Sequence, residues 1–186
     1  MNFTFSAEQQ QIRDSALKLV AQFDDQYCLA RDDDGVFPED FCRAIADDGW
    51  IGIGVPEAYG GSGLGATESA IVLQAISESG AGNSGLSAIG IGFFGLNPLI
   101  RFGSDEQRET WLPRIIRRDD IACFGVTEPN TGHDTTRLKT RAERRGDGYV
   151  INGEKVWIST VQVANKIMLI ARTTPIEQCK KPIDGL

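Results

Sequence analysis

Two short motifs carry the residue types that could do chemistry. Thr127-Glu128-Pro129 follows an apolar run that begins at Ile121, and Trp157-Ile158-Ser159 ends an alternating segment that begins at Lys155. The first motif offers a hydroxyl group and free backbone donors, and the second offers a flat aromatic ring and another hydroxyl group. Together these groups would suit a ligand that has a planar ring with hydrogen-bonding edges. Tryptophan and threonine are also common in strands, so on residue types alone an ordinary β-domain with a core tryptophan is the simpler interpretation.

The elements that would hold these motifs are strands joined by tight turns. Ile121–Val126 is apolar and partly β-branched, and it predicts a strand that ends where Pro129 and Gly132 break regular structure. A polar, extended segment follows over Arg141–Arg145, and Gly146-Asp147-Gly148 predicts a turn after it.

A second turn is predicted at Asn152-Gly153, which follows the apolar Tyr149–Ile151, because both turn residues tolerate positive φ. Lys155–Ser159 alternates in polarity and predicts a strand that returns the chain. The two motifs would then lie in one stack of strands.

Several spaced motifs, in order along the chain, resemble the middle domain of the acyl-CoA dehydrogenase family. They are Phe124-Gly-Val-Thr127-Glu128-Pro129-x-x-Gly132-x-Asp134, Lys139-Thr140, Ile151-Asn152-Gly153-x-Lys155 and Trp157-Ile158-Ser159. In that family the first and last of these motifs hold the isoalloxazine ring of FAD. The cofactor contacts that the resemblance implies are Phe124, Val126, Thr127, Gly132, His133, Trp157, Ile158 and Ser159.

The resemblance also implies a role for each group of contacts. Phe124, Val126 and Thr127 would touch the flavin edge. Trp157 would lie against the ring, and the Ser159 hydroxyl group would reach the reactive nitrogen region.

His133 departs from the family pattern. The family usually has a serine at this position, directly before the aspartate, and that serine contacts flavin or thioester substrate. We expect His133 to contact cofactor and substrate, with a turn residue of no chemical duty as the simpler alternative. The resemblance adds Ile89, Phe93 and Phe94 as candidate acyl-chain contacts, for which core packing is the alternative.

The chain before the strands has helical signals. Ser6-x-x-Gln9 and Ser104-x-x-Gln107 have the form of capping boxes. Apolar residues recur at helical spacing from about Thr67 to Ser79. Acidic clusters are interpreted as solvated loops between the elements; they lie at Asp24-Asp25, Asp32–Asp34 and Asp119-Asp120.

These signals predict an α+β protein of two domains. An all-helical N-terminal domain would span residues 1–120, and a strand-containing domain would span residues 121–186, which the resemblance implies to be an incomplete, antiparallel, β-barrel-like middle domain. The loop Pro56-Glu57-x-Tyr59-Gly60-Gly61 also resembles a recurrent loop of the family's helical domain, so the resemblance covers essentially the whole chain.

Two glycine-rich segments match G-x-G-x-x-G, namely Gly80–Gly85 and Gly90–Gly95. A dinucleotide-binding fold needs a strand before those glycines, but a helix is predicted before Gly80. The small residues are therefore interpreted as allowing close helix packing.

Composition excludes several classes of function. A net charge of −7 argues against nucleic acid or an anionic membrane as the main partner. No apolar run approaches a membrane span. Four cysteines form no C-x-x-C pair and there is a single histidine, so we expect reduced thiols and no metal site. The expected compartment is the cytoplasm, or the mitochondrial matrix if a transit peptide has been removed.

The activity implied by the resemblance is FAD-dependent α,β-dehydrogenation of an acyl-CoA thioester. The family's catalytic carboxylate and oligomer interface lie in a C-terminal helical bundle, which we expect to be absent from this chain, so no catalytic residue is assigned. Electron-transfer flavoprotein is the implied acceptor, and a dimer or tetramer the implied state of the intact protein. The alternatives are an acyl-CoA oxidase or flavin monooxygenase of the same fold, or a non-catalytic interaction module.

Overall fold

A computed structural model describes residues 4–90 and 95–186, and the chain divides into two units, Met1–Ile121 and Ala122–Leu186. The first unit is helical. Its described helices are α1 (Ala7–Val20), α2 (Asp25–Asp34), α3 (Glu39–Asp47), α4 (Ala66–Ser77), α5 (Gly82–Gly90), α6 (Asn97–Phe102) and α7 (Asp105–Ile116). None of the helices in the described ranges is both long enough and apolar enough to cross a membrane.

The capping boxes predicted from the sequence are confirmed. The Ser6 hydroxyl oxygen accepts from the Gln9 backbone N–H at 3.1 Å, and the Gln9 side chain accepts from the Ser6 backbone at 3.0 Å. Ser104 and Gln107 repeat the arrangement at 3.2 and 2.9 Å. Each box satisfies backbone donors that a helix start leaves without partners, which is why α1 and α7 begin where they do.

The core of this unit includes the inward faces of α3, α4 and α7. Phe41 and Ile45 of α3, Val72 and Ile76 of α4, and Leu112 of α7 are each 1% exposed or less. Burial of side chains this large contributes about 2 kcal/mol each, which is the main force holding the helices together.

The interpretation of the acidic clusters as solvated loops is wrong for all three of them. Asp24 caps α2, since its carboxylate accepts from the Tyr27 backbone N–H at 2.9 Å, and the helix runs to Asp34 before Gly35. Asp120 is 3% exposed and forms an ion pair with Arg114. Aspartate is a preferred N-cap because its short side chain reaches the free N–H groups of the first turn.

Close packing explains Gly80 and Gly85 of the first glycine-rich segment, whereas Gly82 has a φ of 48° and open space around its Cβ position. A Cβ atom on Gly85 would lie 2.6 Å from Cβ of Ala81 and 3.3 Å from the Phe41 ring. Any larger residue at Gly85 would therefore force α5 away from the core.

The second unit holds four strands in two separate pairs. β1 (Ala122–Gly125) pairs in parallel with β4 (Lys166–Leu169), and β2 (Arg141–Arg145) pairs antiparallel with β3 (Gly148–Asn152). The α+β class with an unclosed sheet is confirmed, but only the β2–β3 pair has the expected antiparallel arrangement, and the separate β1–β4 pair is parallel. The β2–β3 hairpin lies between β1 and β4 in the chain, so it serves as the long connection that a parallel pair requires.

The predicted hairpin turn at Asn152-Gly153 is wrong, and so is the predicted strand over Lys155–Ser159. Asn152 is the last paired residue of β3, opposite Arg141, and the hairpin turns instead at Gly146-Asp147. Gly153 is required by a close approach, because a Cβ atom there would lie 2.3 Å from the Thr140 hydroxyl oxygen. The chain after Gly153 is then irregular as far as Ile158.

Candidate functional site

The first of the two motifs is a tight turn at the end of β1. Glu128 and Thr131 form an isolated antiparallel bridge, and the Thr131 backbone N–H donates to the Glu128 carbonyl oxygen at 3.2 Å. Pro129 and Asn130 lie exposed at the tip, whereas Glu128 is 6% exposed. The turn therefore directs the glutamate inward and its tip outward.

The buried Glu128 carboxylate accepts hydrogen bonds from two other segments. Its Oε1 accepts from the backbone N–H of Thr140 at 2.8 Å and from the Thr140 hydroxyl at 2.5 Å. Its Oε2 accepts from the Lys139 backbone N–H at 2.6 Å. The Lys155 ammonium group donates to Oε1 at 3.0 Å. These bonds attach the turn to the two residues just before β2 and to the segment after β3.

Burial by itself raises the pKa of the Glu128 carboxyl. The hydrogen bonds from Thr140, Lys139 and Lys155 act in the opposite direction and outweigh it, so the pKa is lowered to about 2. Glu128 is therefore ionised at any physiological pH and holds its charge as an acceptor of hydrogen bonds.

Lys155 connects the two motifs. Besides Glu128, its ammonium group donates to the Val126 carbonyl oxygen at 2.8 Å. The next residue, Val156, donates its backbone N–H to the Thr127 carbonyl oxygen at 3.0 Å. The chain immediately before Trp157 is thus held against the residues that follow β1.

Trp157 itself is 88% exposed, with a backbone φ of 57°. Positive φ is uncommon for a bulky residue and costs about 1–3 kcal/mol, so surrounding structure must hold it. Val126 and Thr127 are half-buried, and Thr127 is hydrogen-bonded to Val156, the residue directly before Trp157. We call Val126, Thr127 and Trp157–Ser159 the Thr127–Trp157 surface.

The predicted cofactor contacts fall in three places within the second unit. Phe124 is half-buried in β1, and the Thr127–Trp157 surface combines the residues after β1 with the segment that follows Val156. Gly132 and His133 are exposed in the loop that leads to a single 3-10 turn at Thr135–Arg137. Hydrogen bonds bring the first and last motifs together, while no described bond ties the His133 side chain to either of them.

The other acidic residue of the first motif is engaged locally. The Asp134 carboxylate accepts from Arg137 at 2.9 Å and from the Thr136 hydroxyl. The Thr136 hydrogen bond and then the Arg137 one lower the pKa of the Asp134 carboxyl. Neither Glu128 nor Asp134 is suited to remove a proton from carbon, because a base with a lowered pKa is weak at neutral pH.

The predicted acyl-chain contacts lie in the first unit or outside the described residues. Ile89 is 1% exposed in α5, within the helical core. Phe93 and Phe94 fall outside the residues that the structure describes. Among those residues, no group of three or more histidine, cysteine, aspartate or glutamate side chains could hold a metal ion.

The sequence analysis missed Arg172, which is 3% exposed. Its guanidinium group donates to the carbonyl oxygens of Thr136 at 2.8 Å, Asp184 at 2.9 Å and Thr174 at 3.3 Å, and also to that of Pro182. It thereby ties the loop after His133 to the segment after β4. The one sequence signal was an arginine directly after the apolar run Ile167–Ala171, the first part of which lies in β4.

Two family models match the chain in succession. "Acyl-CoA dehydrogenase, N-terminal domain" matches residues 6–119, and "Acyl-CoA dehydrogenase, middle domain" matches residues 123–182. The two matched ranges fall within the helical unit and the strand-containing unit respectively.

Individual relatives agree with the family models. The chain is 33% identical over 186 residues to the probable acyl-CoA dehydrogenase YngJ of Bacillus subtilis, covering 100% of this chain and 49% of that protein. It is 33% identical over 168 residues to the mitochondrial isovaleryl-CoA dehydrogenase of Bos taurus, covering 89% of this chain and 39% of that protein. The solved structure "PigA with FAD and proline" superposes with a TM-score of 0.84 at 27% identity, over 94% of this chain and 46% of that one. The chain therefore spans about half the length, or less, of the proteins it resembles.

Proposed function

The chain belongs to the acyl-CoA dehydrogenase family, and on that premise we propose that the whole protein uses FAD to dehydrogenate an acyl-CoA thioester between its α and β carbons. The observation that carries the proposal is the hydrogen bond of 3.0 Å from the Val156 backbone N–H to the Thr127 carbonyl oxygen. That bond unites the two motifs whose counterparts hold flavin in the family.

The residues present fit a planar, polar-edged ring. Trp157 is 88% exposed and so has a free aromatic face. Thr127 and Ser159 add hydroxyl groups that can exchange hydrogen bonds with the ring edge, and Phe124 and Val126 add apolar surface. Tryptophan suits such a role because its large flat ring stacks at little conformational cost.

When bound, FAD supplies the acceptor of the hydride that leaves the β carbon. This chain's own part is to bind and orient: Trp157 and Ile158 against the ring, Thr127 and Ser159 at its polar edge. Gly132 and His133 complete the proposed cofactor contacts, in a loop exposed enough to meet a ligand.

Removal of the α proton is assigned to a carboxylate outside these 186 residues. Glu128 is committed to Lys155 and Thr140, and Asp134 to Arg137. Both carboxyl groups have a lowered pKa, which makes them poor proton acceptors. We therefore expect this chain alone to show no turnover of an acyl-CoA such as isovaleryl-CoA.

Substrate and partner assignments follow from family membership. We propose substrate contacts from His133, Ile89, Phe93 and Phe94, electron-transfer flavoprotein as acceptor, and a dimer or tetramer for the intact protein. We propose a mitochondrial-matrix or cytoplasmic location. Rapid reduction of oxygen by the reduced holoprotein would instead indicate an oxidase of the same family.

Retention of flavin tests the proposal. The purified chain is mixed with FAD, desalted and examined by visible absorption. We expect a flavin band that Thr127→Ala diminishes and that Thr135→Ala, a matched change at an exposed threonine, leaves in place. Equal retention by wild type and Thr127→Ala would contradict the assignment of Thr127, and turnover of isovaleryl-CoA would contradict the assignment of the base.

A further inference from the structure

We propose that the buried ion pair of Glu128 and Lys155 is a positioning device, which fixes the Trp157 backbone relative to Thr127 and so sets the spacing of the proposed flavin surface. The flavin part of this inference rests on the proposed function. Neither residue is expected to touch the cofactor. Both act through neighbouring residues in the chain.

The connectivity makes the pair a clamp between two segments far apart in sequence. Glu128 directly follows Thr127, and Lys155 precedes Trp157 by two positions. The ammonium group donates to the Glu128 carboxylate at 3.0 Å and to the Val126 carbonyl at 2.8 Å, on either side of Thr127. With the Val156–Thr127 bond, three consecutive residues are attached to the opposite segment.

The glutamate is itself held in place, so it can serve as a fixed reference. Lys139 and Thr140 donate to both oxygens of its carboxylate. Its side chain is 5% exposed and that of Lys155 is 11% exposed, so solvent scarcely screens the attraction. A charge-assisted bond of this kind is shorter and stronger than a neutral one.

The Trp157 backbone depends on contacts from neighbouring residues, because packing of its own ring does not fix its conformation. Its φ of 57° is unfavourable for a side chain, and with 88% of the residue exposed the ring packs on little of the unit. The strained backbone persists only if neighbouring bonds over-determine it. On the N-terminal side those bonds come from Lys155 and Val156.

The test observes Trp157 without requiring flavin. The chain has three tryptophans, Trp50, Trp111 and Trp157, so 5-fluorotryptophan labelling gives three ¹⁹F resonances, and Trp157→Phe assigns one of them. The variants are Lys155→Met and Glu128→Gln, with Lys155→Arg as the conservative rescue. The matched controls are Lys139→Met and Glu154→Gln, at exposed side chains.

We expect the Trp157 resonance alone to shift or broaden in Lys155→Met and in Glu128→Gln, and to stay at its wild-type position in Lys155→Arg and both controls. Methyl resonances of Ile151 and Ile167 report that both strand pairs remain intact. An unchanged Trp157 resonance in an intact Lys155→Met chain would overturn the proposal. If Lys155→Met loses the methyl signals, the Trp157 resonance is measured in Lys155→Gln instead. Loss of the methyl signals in Lys155→Gln as well would overturn the proposal, because it would show that Lys155 is needed for folding and not for positioning.

Titration with FAD separates this inference from the proposed function. In the variants that move Trp157, we expect FAD affinity to fall by about tenfold, as for other residues that orient a binding group. A wild-type chain that binds no FAD would refute the flavin assignment, while the ¹⁹F result would still decide whether the pair positions Trp157. Unchanged FAD affinity in a variant with a displaced Trp157 would overturn the claim that the position of Trp157 controls flavin binding.

Discussion

The Lys155 ammonium nitrogen lies 3.0 Å from Oε1 of Glu128, and the two side chains are 11% and 5% exposed. The residues are separated by 27 positions, with the whole β2–β3 hairpin between them. This pair closes the hairpin onto the end of β1, so the stability of the second unit and the shape of its candidate site depend on the same contact.

Removing one partner of the pair is expected to destabilise the second unit. Lys155→Met leaves the buried Glu128 charge without its cation, and Glu128→Gln does the reverse; each should lower the free energy of unfolding by about 3 kcal/mol. Hydrogen exchange at the β2 and β3 amides measures the loss in this unit alone. Lys139→Met, at an exposed side chain, should cost less than about 0.5 kcal/mol.

A double-mutant cycle separates the pair from its surroundings. Combining Lys155→Met with Glu128→Gln should cost clearly less than the sum of the single changes, because the double variant contains no isolated buried charge. Strictly additive losses would show that the two side chains stabilise the unit independently of each other, and the ion pair would then contribute nothing of its own.

The stability of the second unit should fall in acid because of Glu128. Burial raises the pKa of this carboxyl, but the bonds from Thr140, Lys139 and Lys155 outweigh it and lower the pKa to about 2. An unfolded glutamate titrates near pH 4.3, so the folded state binds the proton more weakly, and ionised Glu128 contributes about 3 kcal/mol at neutral pH.

That contribution is fully present above about pH 5 and is lost as the pH falls towards about 2. Hydrogen exchange or chemical unfolding between these values should therefore show a steeper loss of stability in wild type than in Glu128→Gln. Equal pH dependence in the two chains would mean that Glu128 titrates normally in the folded state.

Gly153 should tolerate no side chain. Its Cβ position lies 2.3 Å from the Thr140 hydroxyl oxygen and 2.7 Å from the Thr140 Cα atom, so Gly153→Ala pushes on backbone as well as side chain. We expect a loss of about 1–3 kcal/mol in the free energy of unfolding. Gly148→Ala, at the first residue of β3, is the matched control, since nothing lies within 4 Å of its Cβ position. A neutral Gly153→Ala would contradict the close approach of Thr140 as the reason for a glycine at this position.

Arg172 should hold the segment after β4. Its replacement by methionine leaves the carbonyl oxygens of Thr136 and Asp184 without their donor, at a cost of about 2–3 kcal/mol. Hydrogen exchange of residues 173–186 should accelerate. Arg172→Lys should not restore protection, because a single ammonium group cannot reach carbonyls on both sides as a planar guanidinium does. Full protection in Arg172→Met, or in Arg172→Lys, would contradict this role.

Local signals predicted the parts of the fold that local chemistry decides. Ser6 and Ser104 begin helices because their hydroxyl groups satisfy backbone donors three residues away, and that spacing is visible in the sequence. The first motif could likewise be located, since a strand must end before Thr127-Glu128-Pro129.

Non-local contacts decided the rest. Asn152-Gly153 is a strong hairpin signal, but pairing of Asn152 with Arg141 fixes the turn six residues earlier, at Gly146-Asp147, and Thr140 occupies the space beside Gly153. In the sequence Arg172 resembles any surface arginine, because the carbonyl groups that accept from it, such as those of Thr136 and Asp184, lie 36 and 12 positions away. Trp157 was expected in a strand, and the Lys155 and Val156 bonds that hold it in positive φ involve residues near 127.

The most direct test of the Thr127–Trp157 surface as a flavin site is a titration of the chain with FAD, followed by flavin fluorescence and visible absorption, for wild type, Trp157→Ala and Tyr149→Ala. Tyr149 is the matched control, an aromatic residue of the same unit that is 58% exposed. We expect saturable FAD binding to wild type and to Tyr149→Ala. The affinity of Trp157→Ala should be at least about tenfold weaker, because stacking of a planar heterocycle on an aromatic side chain contributes roughly 1–3 kcal/mol. Absence of flavin binding by wild type, or equal binding by wild type and Trp157→Ala, would contradict the claim that this surface holds flavin.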